Sequence, residues 1–374
     1  MIATSIAVGG VPWRFAVEIV LRLKALVLAL VKGVRAHSFL YVLTVFTYSL
    51  AGTQSLRIGL PMEFNFVSPV IDIMLFFLFP LVGLWLMVEF VRLWFTGYRG
   101  DAVLALKSKL LDDILAPERI ANAVHTFIFM SVFGVGFVAI KKTIPLVQPF
   151  AWDKSFMEFD RNLHFGLLPH EILAPLLQFP LAVFIINAVY NLWFAVLVGC
   201  LFWQGFARRD NPLRQRFLAS IPLTWLIGTG ALGTMFSSAG PCYYGFIVAG
   251  ENPYAPLMAH LRQVNDTYPI WSLTTQDILW KSSLVNYNGS FGGISAMPSM
   301  HVATAVLFVL LGFASGKRWL GWCFIVFTIS IFVGSVMLGW HYAVDGYAGV
   351  AIALACWWLA GKLTLNSRPS SAPR

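Results

Sequence analysis

The stretch GWHYAVDGYAGVAIALACWWLAGK, residues 339–362, holds one histidine and one carboxylate at the mouth of a long apolar run. From Tyr342 onward it offers the roughly 20 apolar residues needed to cross about 30 Å of hydrocarbon at 1.5 Å per residue. His341 and Asp345 stand four positions apart, which places them on one face of a helix that begins here. An aspartate one turn inside an apolar helix is costly and calls for a partner, and His341 is the neighbour within reach. A structural ion pair anchoring the helix end is the plain alternative.

Working outward, the same kind of run recurs. Apolar segments bounded by charge or proline lie at roughly 37–56, 70–95, 122–140, 181–206, 217–236, 301–316, 319–339 and 342–361. The chain of 374 residues is 58% hydrophobic and only 11% charged, with mean hydropathy +0.75, which excludes a soluble domain. The fold class expected is an all-α polytopic membrane protein of about eight transmembrane helices. The net charge of +9 comes without an aromatic-interleaved basic stripe, so it suits cytoplasmic loops and anionic lipid rather than nucleic acid.

Charge also orients the chain. Arg208, Arg209, Arg214 and Arg216 crowd one short loop, Lys317 and Arg318 fill the next alternate one, and Lys362, Arg368 and Arg374 mark the tail. These sides are expected in the cytoplasm, leaving Ser237–Met300, with only Arg262 and Lys281, outside. Residues 141–179 strain the rule, being placed outside with Lys141, Lys142, Lys154 and Arg161. The domain reading follows: 1–36 an amphipathic helix at the cytoplasmic face and retained, 37–119 two N-terminal transmembrane helices, 120–362 a six-helix catalytic core, and 363–374 a disordered tail. The four cysteines form no disulfide or metal pattern and read as packing residues.

A second motif, MPSMHVATA, places Pro298 and Ser299 before His301 at the expected start of a span. Helix starts favour Ser and Pro, and their free N–H groups attract phosphate oxygens. A hydrogen-bonded structural histidine at the interface is the competing reading. Both motifs fall at outward ends of their spans, so His301, His341 and Asp345 are expected to converge just below the outer surface. An aspartate that fixes the imidazole tautomer leaves the other nitrogen of His341 free to attack phosphorus. A protonated His301 then serves the departing alcohol and later deprotonates the incoming one.

These residues resemble the type 2 phosphatidic acid phosphatase superfamily, and within it the inositol phosphorylceramide synthase-like branch. PSMH matches the motif PS-x-H and HYAVD matches H-x-x-x-D, with the resemblance covering about residues 120–362. It implies a phosphohistidine at His341, an orienting Asp345, His301 as general acid and base, a six-helix core, and no metal or other cofactor. The phosphatase branch also carries K-x6-RP and an arginine six residues before the nucleophile. Here no such motif precedes Pro298 and that position is Ser335, while FSSAGPCYYG, Phe236–Gly245, stands where the synthase-like branch has a Pro/aromatic block. The absent cations favour transfer over hydrolysis.

The expected activity is therefore a lipid phosphotransferase moving a phosphoryl headgroup from a phospholipid donor to a lipid or glycan alcohol. A lipid phosphatase is the runner-up, with a two-His, one-carboxylate metal site and a lipid transporter or binding protein behind it. Substrate-binding candidates are Ser299, Tyr243, Tyr244, Arg262 and Lys281, with Tyr287, Asn288 and the backbone at Gly292 and Gly293 as further pocket groups. In WDKSFMEFDRNLHFG, residues 152–166, Asp153, Asp160 and His164 either touch an acceptor alcohol or cap an interfacial helix; the latter is favoured. YNLWF, Tyr190–Phe194, reads as helix packing. The site is expected to face the extracytoplasmic side of the inner, or equivalent cell, membrane.

Overall fold

The computed structural model describes residues 13–59, 79–208, 211–284 and 293–366. Among them there is no strand, and the helices are named in chain order. The N-terminal part holds α1 (Trp13–Ala36), α2 (Ser38–Ile58), α3 (Phe79–Phe95) and the short α4 (Ala102–Ser108). The remainder holds α5 (Pro117–Val147), α6 (Asp153–Leu163), α7 (Pro180–Gly205), α8 (Pro212–Trp225), α9 (Ala255–Asn265), α10 (Trp271–Leu284), α11 (Met300–Ala314), α12 (Arg318–Met337) and α13 (Ala343–Asn366). Helix α8 runs on through a π-helical turn, Leu226–Leu232, to Met235.

Among the described residues, five helices are long and apolar enough to cross a membrane: Pro117–Val147, Pro180–Gly205, Pro212–Met235, Arg318–Met337 and Ala343–Thr364. Met300–Ala314 is equally apolar but shorter. Together they correspond to the six spans expected for the core, and the chain is a multi-pass helical membrane protein. Three of them begin with proline, where the missing N–H costs nothing. Helix α2 forms at the first expected span, although it is not among the five; the second expected span is described only from Phe79. The tail from 367, with Arg368 and Arg374, lies outside the described residues, as does Arg209.

These helices are apolar on every side, so they divide their faces between core and lipid. Leu307, Phe308 and Leu311 of α11 and Ala353 and Ala360 of α13 are fully buried. Leu192 and Phe194 of α7, Trp322, Val326 and Ile329 of α12, and Leu354 and Trp358 of α13 face outward. The hairpin α11–α12 closes so tightly that a Cβ on Gly312 would stand 2.8 Å from the Gly321 backbone, a small-residue contact of the kind that lets membrane helices approach. Helix α1 runs over the basic N-terminal stretch. One side docks on α5, where His125 bonds the Leu30 carbonyl, while Val27, Leu28 and Val31 stay exposed.

Candidate active site

Helix α13 begins at Ala343, so His341 sits in the turn just ahead of it rather than within it. That turn is held by backbone bonds: the N–H groups of Trp340 and His341 both donate to the Ser335 carbonyl at 3.0 Å. The start of α13 lacks a Ser, Thr, Asn or Asp at its N-cap. Asp345, in the third helical position, reaches back to accept the Tyr342 N–H at 2.9 Å, the carboxylate half of a capping box. The next two N–H groups, of Ala343 and Val344, donate to Asp160 of α6 at 2.7 and 2.9 Å. Asp160 thus supplies from a remote helix the cap that the local sequence omits.

His341 and Asp345 meet at 3.4 Å, Nδ1 to Oδ2. The same Nδ1 lies 2.9 Å from the Ala296 carbonyl, which only accepts, so Nδ1 carries the hydrogen and Nε2 keeps its lone pair. The other Asp345 oxygen is buried with no hydrogen-bond partner among the described residues. His301, in the first turn of α11, presents its ring 6.3 Å from that of His341, centroid to centroid. Ser299 caps α11, its side chain accepting from Val302 N–H at 3.4 Å, and its own N–H donates to the Asp345 carbonyl at 2.9 Å. The two motifs are therefore joined through backbone as well as through their rings.

The FSSAGPCYYG block is the hub behind them. Ser238 accepts the Ala296 N–H on its carbonyl at 2.9 Å and the Met297 N–H on its hydroxyl at 3.2 Å, fixing the strand of chain that carries the Ala296 acceptor. Cys242 N–H donates to the Gly339 carbonyl at 2.8 Å. Gly240 has φ +103° and would bring a Cβ within 2.6 Å of the Trp340 carbonyl, so only glycine fits. Asp153, at the first turn of α6, takes the N–H groups of Ala239 and Gly240 at 2.9 and 2.8 Å and the Tyr342 hydroxyl at 2.8 Å.

Both α6 carboxylates are almost wholly buried, at 1% exposure. Burial lifts Asp160 from an ordinary 3.8 to about 6, opposed by the two backbone N–H bonds; the negative charge of Asp345 adds to the rise and His164 works against it. Asp153 is raised by the same desolvation, against its own three hydrogen bonds. With their oxygens committed to N–H and O–H donors, Asp153 and Asp160 brace the site instead of meeting an acceptor alcohol. His164 bonds the Asp160 carbonyl at 2.6 Å and the Tyr347 hydroxyl at 3.0 Å.

The sequence-selected pocket residues separate. Tyr243 is buried, donates to the Gln276 carbonyl at 2.9 Å and stacks on Trp280, while Tyr244 lies edge-on to Tyr254. Arg262 on α9 and Lys281 on α10 are exposed. Tyr287, Asn288 and Gly292 lie outside the described residues. Two groups that the sequence reading left aside come close to the histidines. Tyr190 of α7 stacks on the His301 ring at 4.7 Å, and Lys141, near the end of α5, is close enough for its charge to act on His301. Helix α5 extends to Val147, which moves Lys141 and Lys142 from the expected outer loop into the helix, and the Gly293 backbone packs on their main chain. Among the described residues no cluster of three His, Cys, Asp or Glu side chains has the geometry to hold a metal ion.

The chain is thus a helical membrane protein with two histidines and an aspartate gathered at neighbouring helix starts. The family model described as the PAP2 superfamily matches residues 154–359, more than half of the chain, and the chain belongs to that superfamily. The match runs from α6 to α13 and takes in both histidine motifs and Asp160, with Asp153 one residue ahead of its start. Membership makes it a phosphatase or phosphotransferase with membrane lipids as substrates. Neither the curated proteins nor the solved structures yield a match to this chain.

Proposed function

We propose that this protein is a metal-independent lipid phosphotransferase that carries a phosphoryl headgroup from a phospholipid donor to an alcohol on a second lipid or a glycan, through a phosphohistidine at His341. The observation that carries this reading is the engagement of His341 Nδ1 by the Ala296 carbonyl and Asp345, which leaves Nε2 as a nucleophile beside His301. Nε2 attacks phosphorus, the bond from phosphorus to the leaving oxygen breaks, and His301 gives that oxygen its proton. Asp345 supports the imidazole as it becomes positive. In the second half the acceptor hydroxyl attacks, His301 takes its proton, and the P–N bond breaks. Lys141, carried near the end of α5 and packed against the Gly293 backbone, is a further candidate for the cation facing the phosphate, beside Arg262 and Lys281.

Transfer is favoured over hydrolysis because Ser335, and not an arginine, stands six residues before His341, and its hydroxyl is spent on the Phe332 carbonyl at 2.7 Å. The basic loops at Arg208–Arg216 and Lys317–Arg318 support a reading in which the opposite ends of these helices, where the site lies, face the extracytoplasmic side of the cell membrane. Purified full-length protein in liposomes is given headgroup-labelled phospholipids with lipid and glycan acceptors, in excess chelator. A labelled second lipid or glycan is expected. Release of free headgroup phosphate alone, under every acceptor, returns the protein to the phosphatases, and loss of turnover in chelator removes the metal-independent mechanism.

A further inference from the structure

An aromatic wall covers His301 on the side of α7. Tyr190 lies nearly parallel to the imidazole, at 4.7 Å and 18°, and Trp193 closes in at 4.4 Å while donating its indole N–H to the His301 carbonyl at 3.1 Å. Tyr190 also runs parallel to Trp340, at 6.5 Å and 10°, and Trp340 is the chain neighbour of His341. One stack therefore spans the gap between the general acid and the nucleophile.

Two polar atoms of this stack are buried and have no hydrogen-bond partner among the described residues: the Tyr190 hydroxyl and Trp340 Nε1. Tyr190 is only 4% exposed. Its ring runs alongside Trp340 in the turn that carries His341, a turn held in place by the Cys242 N–H on the Gly339 carbonyl, so the tyrosine packs against the nucleophile's turn. Orphaned donors at such depth are expensive, and a site that keeps them has an acceptor for them at some stage of its work. A phosphoryl group being transferred offers that acceptor, since its non-bridging oxygens carry the developing charge.

We infer that the Tyr190 hydroxyl and the Trp340 indole N–H are the donors to the non-bridging oxygens of the phosphoryl group as it passes through His341. This rests on the phosphotransfer reading and adds two residues to it. Tyr190→Phe deletes the hydroxyl and keeps the ring on His301; Trp340→Phe deletes the N–H and keeps a ring beside Tyr190. In liposomes, with the phospholipid donor that the wild-type chain turns over fastest, each variant is expected to lose kcat on the order of 10²-fold with KM nearly unchanged. The second readout uses the two diastereomers of that donor with one non-bridging oxygen replaced by sulfur, a poor hydrogen-bond acceptor. Wild-type protein is expected to prefer one diastereomer, and each variant to lose much of that preference. The ratio is independent of the fraction of folded protein. Variants with wild-type kcat overturn the inference, and so does a reduced kcat with an unchanged preference, because packing is then what was lost. A wild-type chain that processes no phospholipid in the panel overturns the phosphotransfer reading itself.

Discussion

The carboxylate of Asp160 lies 2.7 Å from the backbone nitrogen of Ala343, across 183 positions of chain, and completes the helix start on which Asp345 is mounted. Its ionisation is therefore tied to the geometry of the site. With its pKa lifted to about 6 by burial, Asp160 takes up a proton as pH falls through that value and weakens as a cap. Activity is expected to rise as pH increases through about 6, and Asp160→Asn, which cannot ionise and turns an amide against one N–H, is expected to be less active with that rise missing. Stability runs the other way. A carboxyl whose folded value stands above its ordinary 3.8 binds a proton on folding between about 4 and 6, so its contribution is full below that window and is lost as pH rises through it. Melting in detergent across this range checks the sign: the wild-type midpoint should fall with pH relative to that of Asp160→Asn.

Asp345→Asn tests the tautomer argument. The amide keeps the size of the side chain and the reach to Tyr342 N–H, but it cannot support an imidazolium at His341. A loss in kcat of up to about 10⁴-fold is expected, by analogy with aspartate removal in acyl-transfer triads, with little change in KM. Steady-state rates suffice, and a kcat within about threefold of wild type removes Asp345 from the mechanism.

The two histidines are distinguished by what accumulates. His341→Ala should form no phosphoenzyme and show no turnover. His301→Ala should turn over about 10²- to 10⁴-fold more slowly. With a donor whose leaving group needs no proton, it should still label His341. An acid-labile, alkali-stable label on His301→Ala and none on His341→Ala is the expected pattern; the reverse pattern exchanges the two roles.

What the sequence made legible follows from where its signals are local. His301, Ser299, His341 and Asp345 sit at helix starts, where a polar residue entering an apolar run stands out, and five of the core helices announce themselves by length and hydropathy, the shorter α11 by hydropathy alone. Tyr190 and Lys141 were hidden because α7 and α5 are apolar on nearly all sides, so no periodicity marks which face turns inward. Asp153 and Asp160 were visible as acids but not as braces, since their partners are backbone N–H groups 86 to 184 positions away. One clue was present: HYAVDG opens a helix with no capping side chain at its head, which requires a remote acceptor for Ala343 and Val344. Arg262 and Lys281 stand out in the sequence as cations of the outer segment, yet their helices leave them exposed.

Gly240→Ala should damage the site through backbone alone. A methyl group there faces a φ of +103° and the Trp340 carbonyl at 2.6 Å, so the Asp153-bound loop or the His341 turn has to move. A destabilisation of about 1–3 kcal/mol is expected, together with loss of turnover in the fraction that remains folded. Thermal melting and active-site labelling on the same sample separate the two effects. A variant with wild-type melting and rate shows that the turn is more pliable than this contact allows.

Arg214 offers the complementary case, a buried residue whose loss should spare the chemistry. It is fully buried at the start of α8 and donates to His37 Nε2 at 2.8 Å, Thr126 Oγ1 at 2.9 Å and the Asn122 carbonyl at 3.2 Å. His37 passes its other nitrogen's hydrogen to the Gly33 carbonyl at 2.8 Å and stacks on His125, which accepts from the Tyr41 hydroxyl at 2.5 Å. The guanidinium thereby ties α1 and α2 to α5 and α8. It stands about 20 Å along α8 from the π-helical turn that abuts Met300, at 1.5 Å per residue. Arg214→Met, which keeps most of the volume and removes the donors, should cost about 2–4 kcal/mol and expose the α1–α2 segment to protease. The rate per folded molecule should be unchanged. If that rate falls together with stability, the N-terminal helices take part in the reaction and the core from α5 onward does not suffice for it.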